Sequence, residues 1–143
     1  MSADKTDLLR FVEAQEKVWP TVVSELTLGK KASHWMWFIF PQLRELGRSG
    51  TAHFYGIEDL EEAKAYLAHP VLGPRLTEAM ALMLSHPDVS AEAVLGPIDA
   101  KKLRSSATLF ALASQNAAPF AQVLDVFYDG VRCDLTTSLL SEA

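Results

Sequence analysis

The sequence predicts an all-α fold, a single domain of about seven short helices over residues 1–143. Apolar side chains recur three or four residues apart through most of the chain, which is the spacing of one helix face. Prolines and glycines divide that pattern into short segments. A length of 143 residues with 49% hydrophobic side chains is typical of one ordinary soluble domain, so a disordered chain is excluded.

The start of the chain is predicted to contain two short helices. Residues 8–15 place their apolar side chains on one face and form the first. Pro20 starts or kinks the second, because a proline has no amide hydrogen to donate. Gly29 is predicted to end it, since glycine tolerates the left-handed conformation in which helices commonly stop.

Five more helices are predicted from the same spacing, over residues 60–67, 72–83, 99–111, 119–127 and 134–140. The first two end at His69 and His86, each of which stands before a proline and so avoids the helical conformation. Asp99 and Asp134 are predicted to cap the third and the last, because an aspartate oxygen accepts the free amides of a first turn.

The segment Trp35–Phe40 breaks this pattern, because it is apolar on every side. Such a segment must be buried all round, as a central helix or as an inner strand. We favour the helix. The alternative is an α+β fold in which Trp35–Phe40 pairs with residues 52–57 in a small two-stranded ribbon.

The charges are unevenly distributed along the chain. The formal net charge of −5 argues against broad binding to nucleic acid. Residues 29–56 depart from this balance with four basic and one acidic side chain, or +3. An electropositive stretch within an acidic protein suits an anionic partner such as a phosphate or a carboxylate. The alternative is that basic and acidic segments face each other.

Chemically useful side chains concentrate in this electropositive stretch and on one later helix. Indole, phenol, amide and basic groups together suit the stacking of a planar ring and the pairing of an anion. The predicted ligand-binding residues are Trp35, Trp37, Gln42, Arg48, Ser49, Tyr55, Lys102 and Ser106, and the predicted catalytic residue is His34.

Each of these residues has a role in the hypothesis. Trp35 or Trp37 stacks the ring, while Arg48 and Lys102 hold the anion. His34 serves as the proton shuttle if hydrolysis occurs, because histidine changes protonation near neutral pH. Two alternatives stay open: the tryptophans are ordinary core residues, and the helix serine bonds the carbonyl four residues before it.

Other chemistries find no support in the sequence. Without close His or Cys spacing, a glycine-rich phosphate loop or a dinucleotide fingerprint, no metal or cofactor is expected. The lone Cys133 and the charged start, which is no secretory signal, predict a cytoplasmic location. The longest apolar run, six residues over Trp35–Phe40, is far short of the roughly 20 that cross a membrane.

Four motifs carry a resemblance to a known family, namely His34-Trp-Met-Trp-Phe-Ile-Phe-Pro-Gln42, Gly47-x-Ser49, His69-Pro-Val-Leu-Gly-x-Arg-Leu76 and Lys102-Leu-x-Ser-Ser-x-Thr-Leu-Phe110. With them the chain resembles the bacterial domain of unknown function catalogued as number eighteen-ten, members of which are sometimes labelled calpastatin. The resemblance spans about residues 8–140 and implies a mainly helical single domain without an established activity. The chain departs from the family at Ala107, where Met is usual, and at Cys133, where an acid is usual.

A fainter similarity, in the order of elements only, relates the chain to the NAD- and ADP-ribose-associated domains typified by riboflavin-pathway N-glycosidases. It rests on an early basic and aromatic segment, a central helix pair and a late lysine-containing helix followed by a turn. Such an analogy of fold implies no particular reaction.

The function predicted from these residues is the binding of a small anionic metabolite, nucleotide-like or ADP-ribose-like, with hydrolysis as a further step if His34 takes part. The alternative is a non-catalytic protein-interaction module, in which the aromatic run is core and the acidic residues 57–100 meet a basic partner. Whether the protein is an enzyme stays open, as does its oligomeric state. Convergence of the predicted residues on one concave pocket favours the ligand, and their scatter favours the module.

Overall fold

In the computed structural model, which describes residues 3–142, all regular structure is helical apart from one isolated bridge. The helices are α1 (Ala3–Leu28), α2 (Met36–Ile39), α3 (Gly50–Phe54), α4 (Leu60–Ala68), α5 (Leu72–Leu84), α6 (Ala91–Leu95), α7 (Pro97–Ala113), α8 (Ala118–Tyr128) and α9 (Asp134–Glu142), with a 3-10 turn at Arg44–Leu46. The all-α prediction is confirmed. Helix α2 lies within Trp35–Phe40, where the sequence favours a helix over a strand, whereas α3 and α6 have only five residues each, too few for apolar spacing to reveal them. No helix in the described range is long and apolar enough to cross a membrane.

The two helices predicted before Gly29 are one helix. α1 runs through Pro20, so the separate helix predicted to start there does not form. Proline removes one hydrogen bond from the ladder. Val22 and Leu26, in the turns that follow, are fully buried, and this packing sustains the helix beyond the proline.

The end of α1 has the geometry predicted for Gly29. Its φ of +78° is left-handed, and its amide donates to the Leu26 carbonyl at 3.1 Å. The next amide, of Lys30, donates to the Glu25 carbonyl at 3.0 Å. These bonds satisfy two carbonyls at the helix end and turn the chain toward the tryptophan-rich segment.

The Glu25 side chain joins the end of α1 to that segment. Its Oε1 accepts hydrogen bonds from Ala32 N at 2.8 Å, Ser33 N at 3.0 Å and Trp35 Nε1 at 2.9 Å, and its Oε2 accepts from Ser33 Oγ at 2.6 Å. Burial raises the pKa of the Glu25 carboxyl, but these hydrogen bonds outweigh burial and lower the pKa to about 2. Trp35 is thereby held in the core, where it is fully buried.

Helix α7 runs through the core and is packed by α4, α6, α8 and α9. All side chains from residue 105 to residue 111 are buried. The Phe110 ring contacts Tyr66 of α4 and Phe120 of α8, with centroids 5.2 and 5.9 Å apart. Residues on the remaining face of α7 are therefore the ones available to a ligand.

The two aspartates predicted as helix caps lie inside the first turns of their helices, Asp99 as the third residue of α7 and Asp134 as the first of α9. α7 begins at Pro97, so Asp99 lies in its first turn and Gly96 precedes it. Proline at the first position already has the helical φ, which moves the start upstream of the aspartate. Asp134 is likewise the first residue of α9, and Cys133 precedes it.

Residues 43–57, called the loop wall below, replace the alternative ribbon. Instead of a strand pairing with Trp35–Phe40, Leu43 and Ile57 form an isolated parallel bridge, and α3 occupies the space between them. The Ile57 amide donates to the Gln42 carbonyl at 2.8 Å. A Cβ placed on Gly56 would collide with the Arg44 backbone, so the two ends of the wall meet only because residue 56 is a glycine.

Arg10 of α1 anchors the loop wall from beneath. Its Nε donates to the Phe54 carbonyl at 2.7 Å, and its Nη2 donates to the Gly56 carbonyl at 2.9 Å. The same guanidinium pairs with the buried Glu62 carboxylate at 3.3 Å. Because a buried cation needs such partners, this network fixes the wall to α1 and α4.

Candidate functional site

A cleft of about 470 Å³ lies between the loop wall on one side and helices α7 and α9 on the other. It is called the α7 cleft below. Its lining residues are Gln42, Leu46, Gly47, Arg48, Ser49, Ala52, Ile98, Lys101, Lys102, Ser105 and Leu135. Its volume falls in the range of about 300–1,000 Å³ that is typical of small-molecule sites.

The α7 side of the cleft is one helix face. Ile98, Lys101, Lys102 and Ser105 follow the spacing i, i+3, i+4, i+7, so they share a stripe. The opposite stripe, with Leu103 among its residues, is buried in the core. The fold therefore holds two ammonium groups and a hydroxyl on a rigid helix.

The loop wall supplies the opposite side. Ser49 caps α3 by accepting a hydrogen bond from Ala52 N at 3.1 Å, which leaves its hydroxyl hydrogen free for another acceptor. Arg48 is exposed beside it. A Cβ on Gly47 would lie 2.7 Å from the Ala52 Cβ, so the wall is closed tightly on itself before any ligand arrives.

A narrow space, called the inner recess below, continues behind the cleft. It is bounded by Met36, Trp37, Phe40, Gln42, Ala52, Tyr55, Gly56 and Lys102, and its volume is about 10 Å³. Gln42, Ala52 and Lys102 line both spaces, so they mark the inner end of the cleft. A recess of this size holds one water at most.

Lys102 lies at the junction of cleft and recess. Its side chain is 26% exposed, and its Nζ is 5.7 Å from the Trp37 ring centroid. The Asp99 Oδ1 is 3.6 Å away, beyond hydrogen-bond distance, while Asp99 Oδ2 lies 3.0 Å from Lys31 Nζ. Among the described residues this ammonium group has no hydrogen-bond partner.

The structure brings six of the nine sequence-predicted site residues together. Gln42, Arg48, Ser49 and Lys102 line the α7 cleft, and Trp37 and Tyr55 line the inner recess behind it. This list joins the electropositive stretch to the later lysine helix, as the hypothesis requires.

The other three predicted residues lie elsewhere. Trp35 is fully buried and bonded to Glu25, and His34 is exposed but lines neither space. Ser106 is fully buried, and its Oγ has no hydrogen-bond partner among the described residues. The expected bond to the carbonyl four residues earlier is made instead by Ser105, whose Oγ lies 3.3 Å from the Lys101 carbonyl.

Several lining residues escaped the sequence reasoning. Lys101, Ser105 and Ile98 share the stripe of Lys102, and a helix register counted from Ile98 finds them. Leu135 reaches the cleft from α9, which is distant in sequence from the other lining residues. No local pattern could place Leu135 opposite the loop wall.

Cys133 lies beneath the α7 side of the cleft. Ser105 Oγ donates to its Sγ at 3.3 Å, and the Cys133 amide donates to Thr108 Oγ1 at 3.0 Å. Burial raises the pKa of the thiol, but hydrogen bonds from Ser105 and from Thr136 and Leu135 at the start of α9 lower it overall. Among the described residues no group of three His, Cys, Asp or Glu side chains is placed to hold a metal ion.

These features define an all-helical protein with a basic cleft between a central helix and a glycine-closed loop. The chain belongs to the family described as "Protein of unknown function (DUF1810)", whose profile matches residues 5–140. The family resemblance seen in the sequence motifs is confirmed.

A solved structure shares the whole architecture. The chain is similar to the conserved hypothetical protein Rv1873 from Mycobacterium tuberculosis, with 50% sequence identity and a TM-score of 0.93. The match covers 94% of this chain and 96% of that chain. A comparison with curated proteins found no match.

Proposed function

We propose that the α7 cleft binds a small anionic metabolite of the nucleotide or ADP-ribose class. The observation that carries this proposal is the Lys102 side chain, which is 26% exposed, lines the cleft and makes no hydrogen bond to the described residues beyond the long contact to Asp99. An ammonium group has three N–H donors, and phosphate or carboxylate oxygens accept them in short, charge-assisted hydrogen bonds. An anion in the cleft offers acceptors to this ammonium group.

The electrostatics of the cleft support the same ligand. Arg48, Lys101 and Lys102 face a common space. Among the described residues, the ion pair that these cations form is the long contact between Lys102 and Asp99. Asp99 is shared with Lys31, which it holds more closely. A concave surface with a surplus of one charge sign concentrates the field and raises the local concentration of counter-ions.

The hydrogen-bonding groups of the cleft are also mainly donors. Gln42 offers an amide, Ser49 a free hydroxyl hydrogen, and the two lysines six N–H groups between them. Phosphate and carboxylate oxygens are the ligand groups that accept from many donors at once. Donor surplus and positive charge therefore select the same chemistry.

Binding is proposed in preference to hydrolysis. The described lining of the α7 cleft contains no carboxylate and no imidazole. His34, the proton shuttle of the sequence hypothesis, is exposed outside both the cleft and the recess. General acid–base catalysis needs such a group within hydrogen-bond reach of the substrate, so binding is what the present geometry supports.

The experiment is a thermal-shift titration with AMP, ADP-ribose and inorganic phosphate, followed by calorimetry for any compound that raises Tm. Saturating ligand at about 100 times its Kd should stabilise the protein by about 2.7 kcal/mol. Lys102→Met keeps the apolar stem and removes the charge, so it should weaken binding about tenfold or more.

A matched control is available on the surface. Lys64 contacts Glu61 at 3.6 Å three residues away, as Lys102 contacts Asp99, but it lies outside the cleft. Lys64→Met should leave the ligand response unchanged. If none of the three compounds raises Tm, the proposal is contradicted and the protein-interaction module becomes the better interpretation.

A further inference from the structure

We infer that the ligand enters the α7 cleft with its anion innermost, and that the preferred anion is a terminal phosphate monoester carried on a flat apolar body. This inference rests on the proposed function and deepens it. The phosphate lies at the inner end, between Lys102 and Gln42. The apolar body lies at the mouth, between Leu46 on the loop wall and Ile98 and Leu135 on the opposite side.

The exposure of the lining residues distinguishes the mouth of the cleft from its inner end. Ile98 and Leu135 are 71% and 65% exposed, so they form the outer rim of the cleft. Lys102 and Gln42 are partly buried and border the inner recess, so they form its inner end. The inner end therefore holds one cation, Lys102, beside the Gln42 amide, while the mouth combines the apolar rim with the exposed Arg48 and Lys101.

Volume excludes the opposite orientation. A ring stacked on Trp37 would have to occupy the inner recess, whose volume is about 10 Å³. A single water already needs about 10–15 Å³ of such space, and an aromatic ring has at least six heavy atoms. The stacking role predicted for Trp37 is thus unavailable to a ligand while the recess keeps this shape.

The faces of the recess aromatics are already engaged. The Lys102 ammonium lies over the Trp37 ring. Tyr55 packs against the rings of Phe38 and Phe54, with centroids 5.1 and 4.8 Å away. These rings form the back of the anion subsite and leave the rim as the place where a flat ligand group makes contact.

The charge count favours a monoester over a diester. Three cations line the cleft, with Lys102 at its inner end and Arg48 and Lys101 exposed nearer its mouth, and Lys102 has a long contact to Asp99. A phosphate monoester carries nearly two negative charges at neutral pH, because its second pKa is about 6, whereas a diester carries one. A terminal phosphate also presents three oxygens to the surrounding donors.

The apolar rim should discriminate only weakly between the ring systems attached to the phosphate. Ile98, Leu135 and Leu46 have no polar side-chain atom, so they cannot read the hydrogen-bonding edge of a base. They offer apolar surface to any flat ring. The site should therefore discriminate strongly at the phosphate and weakly at the ring.

The test compares four probes by isothermal calorimetry: AMP, ribose 5-phosphate, 3′,5′-cyclic AMP and adenosine. AMP should bind most tightly, ribose 5-phosphate should follow, and cyclic AMP should bind about tenfold more weakly than AMP, with adenosine undetectable. Equal affinities for AMP and cyclic AMP would overturn the monoester assignment.

Variants test the orientation separately. Ile98→Ser and Leu135→Ser should each weaken AMP about threefold, from lost apolar contact, and leave ribose 5-phosphate unchanged. Trp37→Phe should leave AMP affinity within about twofold. Weaker AMP binding by Trp37→Phe, with no effect of the two rim variants, would place the ring inside and overturn the orientation.

The two levels of failure are distinct. If neither AMP nor ribose 5-phosphate binds to the unmodified protein, the proposed anion site itself is wrong. If both bind but the diester or the rim results fail as described, the anion site stands and only its assigned ligand class or orientation is wrong.

Discussion

Two lysine–tryptophan pairs in this protein share Asp99. The Lys31–Trp35 pair is buried and is called the closed pair below, and the Lys102–Trp37 pair borders the α7 cleft and is called the open pair. Lys31 Nζ lies 5.2 Å from the Trp35 ring and 3.0 Å from Asp99, and the lysine side chain is 9% exposed. Lys102 Nζ lies 5.7 Å from the Trp37 ring and 3.6 Å from the same aspartate, and its side chain is 26% exposed.

The difference comes from what surrounds each pair. Trp35 donates its indole hydrogen to Glu25, and Ser33 completes the hydrogen bonding of that carboxylate. The Lys102 pair has no such carboxylate and borders a cleft instead. The same two residue types thus build core where the indole and the ammonium group each have a carboxylate partner, and line a cleft where the ammonium group has only the long contact to Asp99.

Removing the Glu25 carboxylate, which holds Trp35 of the closed pair, should have the largest effect on stability. Glu25→Ala leaves the Trp35 indole and the amides of Ala32 and Ser33 without an acceptor, so the free energy of unfolding should fall by about 3 kcal/mol or more. Urea unfolding measures this. Glu13→Gln, at an exposed position on the same helix, is the control and should change the free energy by less than about 0.5 kcal/mol. A loss as small as that for Glu25→Ala would show that the cluster does not hold the tryptophan.

Low pH should also destabilise the protein, because it protonates the Glu25 carboxylate that holds the closed pair. The pKa of Glu25 is lowered from 4.5 to about 2, so the unfolded state binds the proton more readily. The stabilisation is fully present above about pH 4.5 and is lost as the pH falls toward 2. At about 1.4 kcal/mol per pKa unit, it amounts to about 3–4 kcal/mol.

The measurement is urea unfolding of the unmodified protein and of Glu25→Gln at pH 6 and at pH 3. The stability difference between them should shrink at the lower pH, since glutamine does not titrate. A difference that stays constant over this range would mean that the carboxylate is not the group that titrates.

The open pair depends on the loop wall, which Gly56→Ala should loosen. The new Cβ meets the Arg44 backbone, so the wall must shift, at a cost of about 1–3 kcal/mol, and AMP binding should weaken with it. Gly50→Ala is the matched control, because its Cβ meets nothing within 4 Å. Differential scanning calorimetry with and without AMP distinguishes the two. Equal behaviour of both variants would show that the wall tolerates the displacement.

The smallest stability effects are expected at the open pair itself. Lys102→Met and His34→Ala remove partly or fully exposed groups without a hydrogen bond in the described structure, so each should change the free energy of unfolding by less than about 0.5 kcal/mol. Only Lys102→Met should alter the response to AMP. A loss of stability for Lys102→Met without a change in ligand response would make Lys102 a structural residue.

Part of the candidate site was predictable from the sequence because it is local. The electropositive stretch contains Gln42, Arg48 and Ser49, which all line the cleft. The role of Ser105 was not predictable in the same way. Ser105 and Ser106 are adjacent, and a rotation of 100° per residue decides which faces the cleft and which the core. The register of α7 against its neighbours sets that rotation.

The sequence by itself determined the helical class of this protein, its family and several helix ends. Apolar spacing and a left-handed glycine such as Gly29 act over a few residues, so they can be read along the chain. Only the tertiary structure decided that Trp35 is core while Trp37 borders the recess. That choice is made by Glu25 from α1 and Lys102 from α7, which are brought to the tryptophans by the packing of distant helices. Contacts between residues far apart in sequence leave no local periodicity, and for that reason the open pair emerges only in three dimensions.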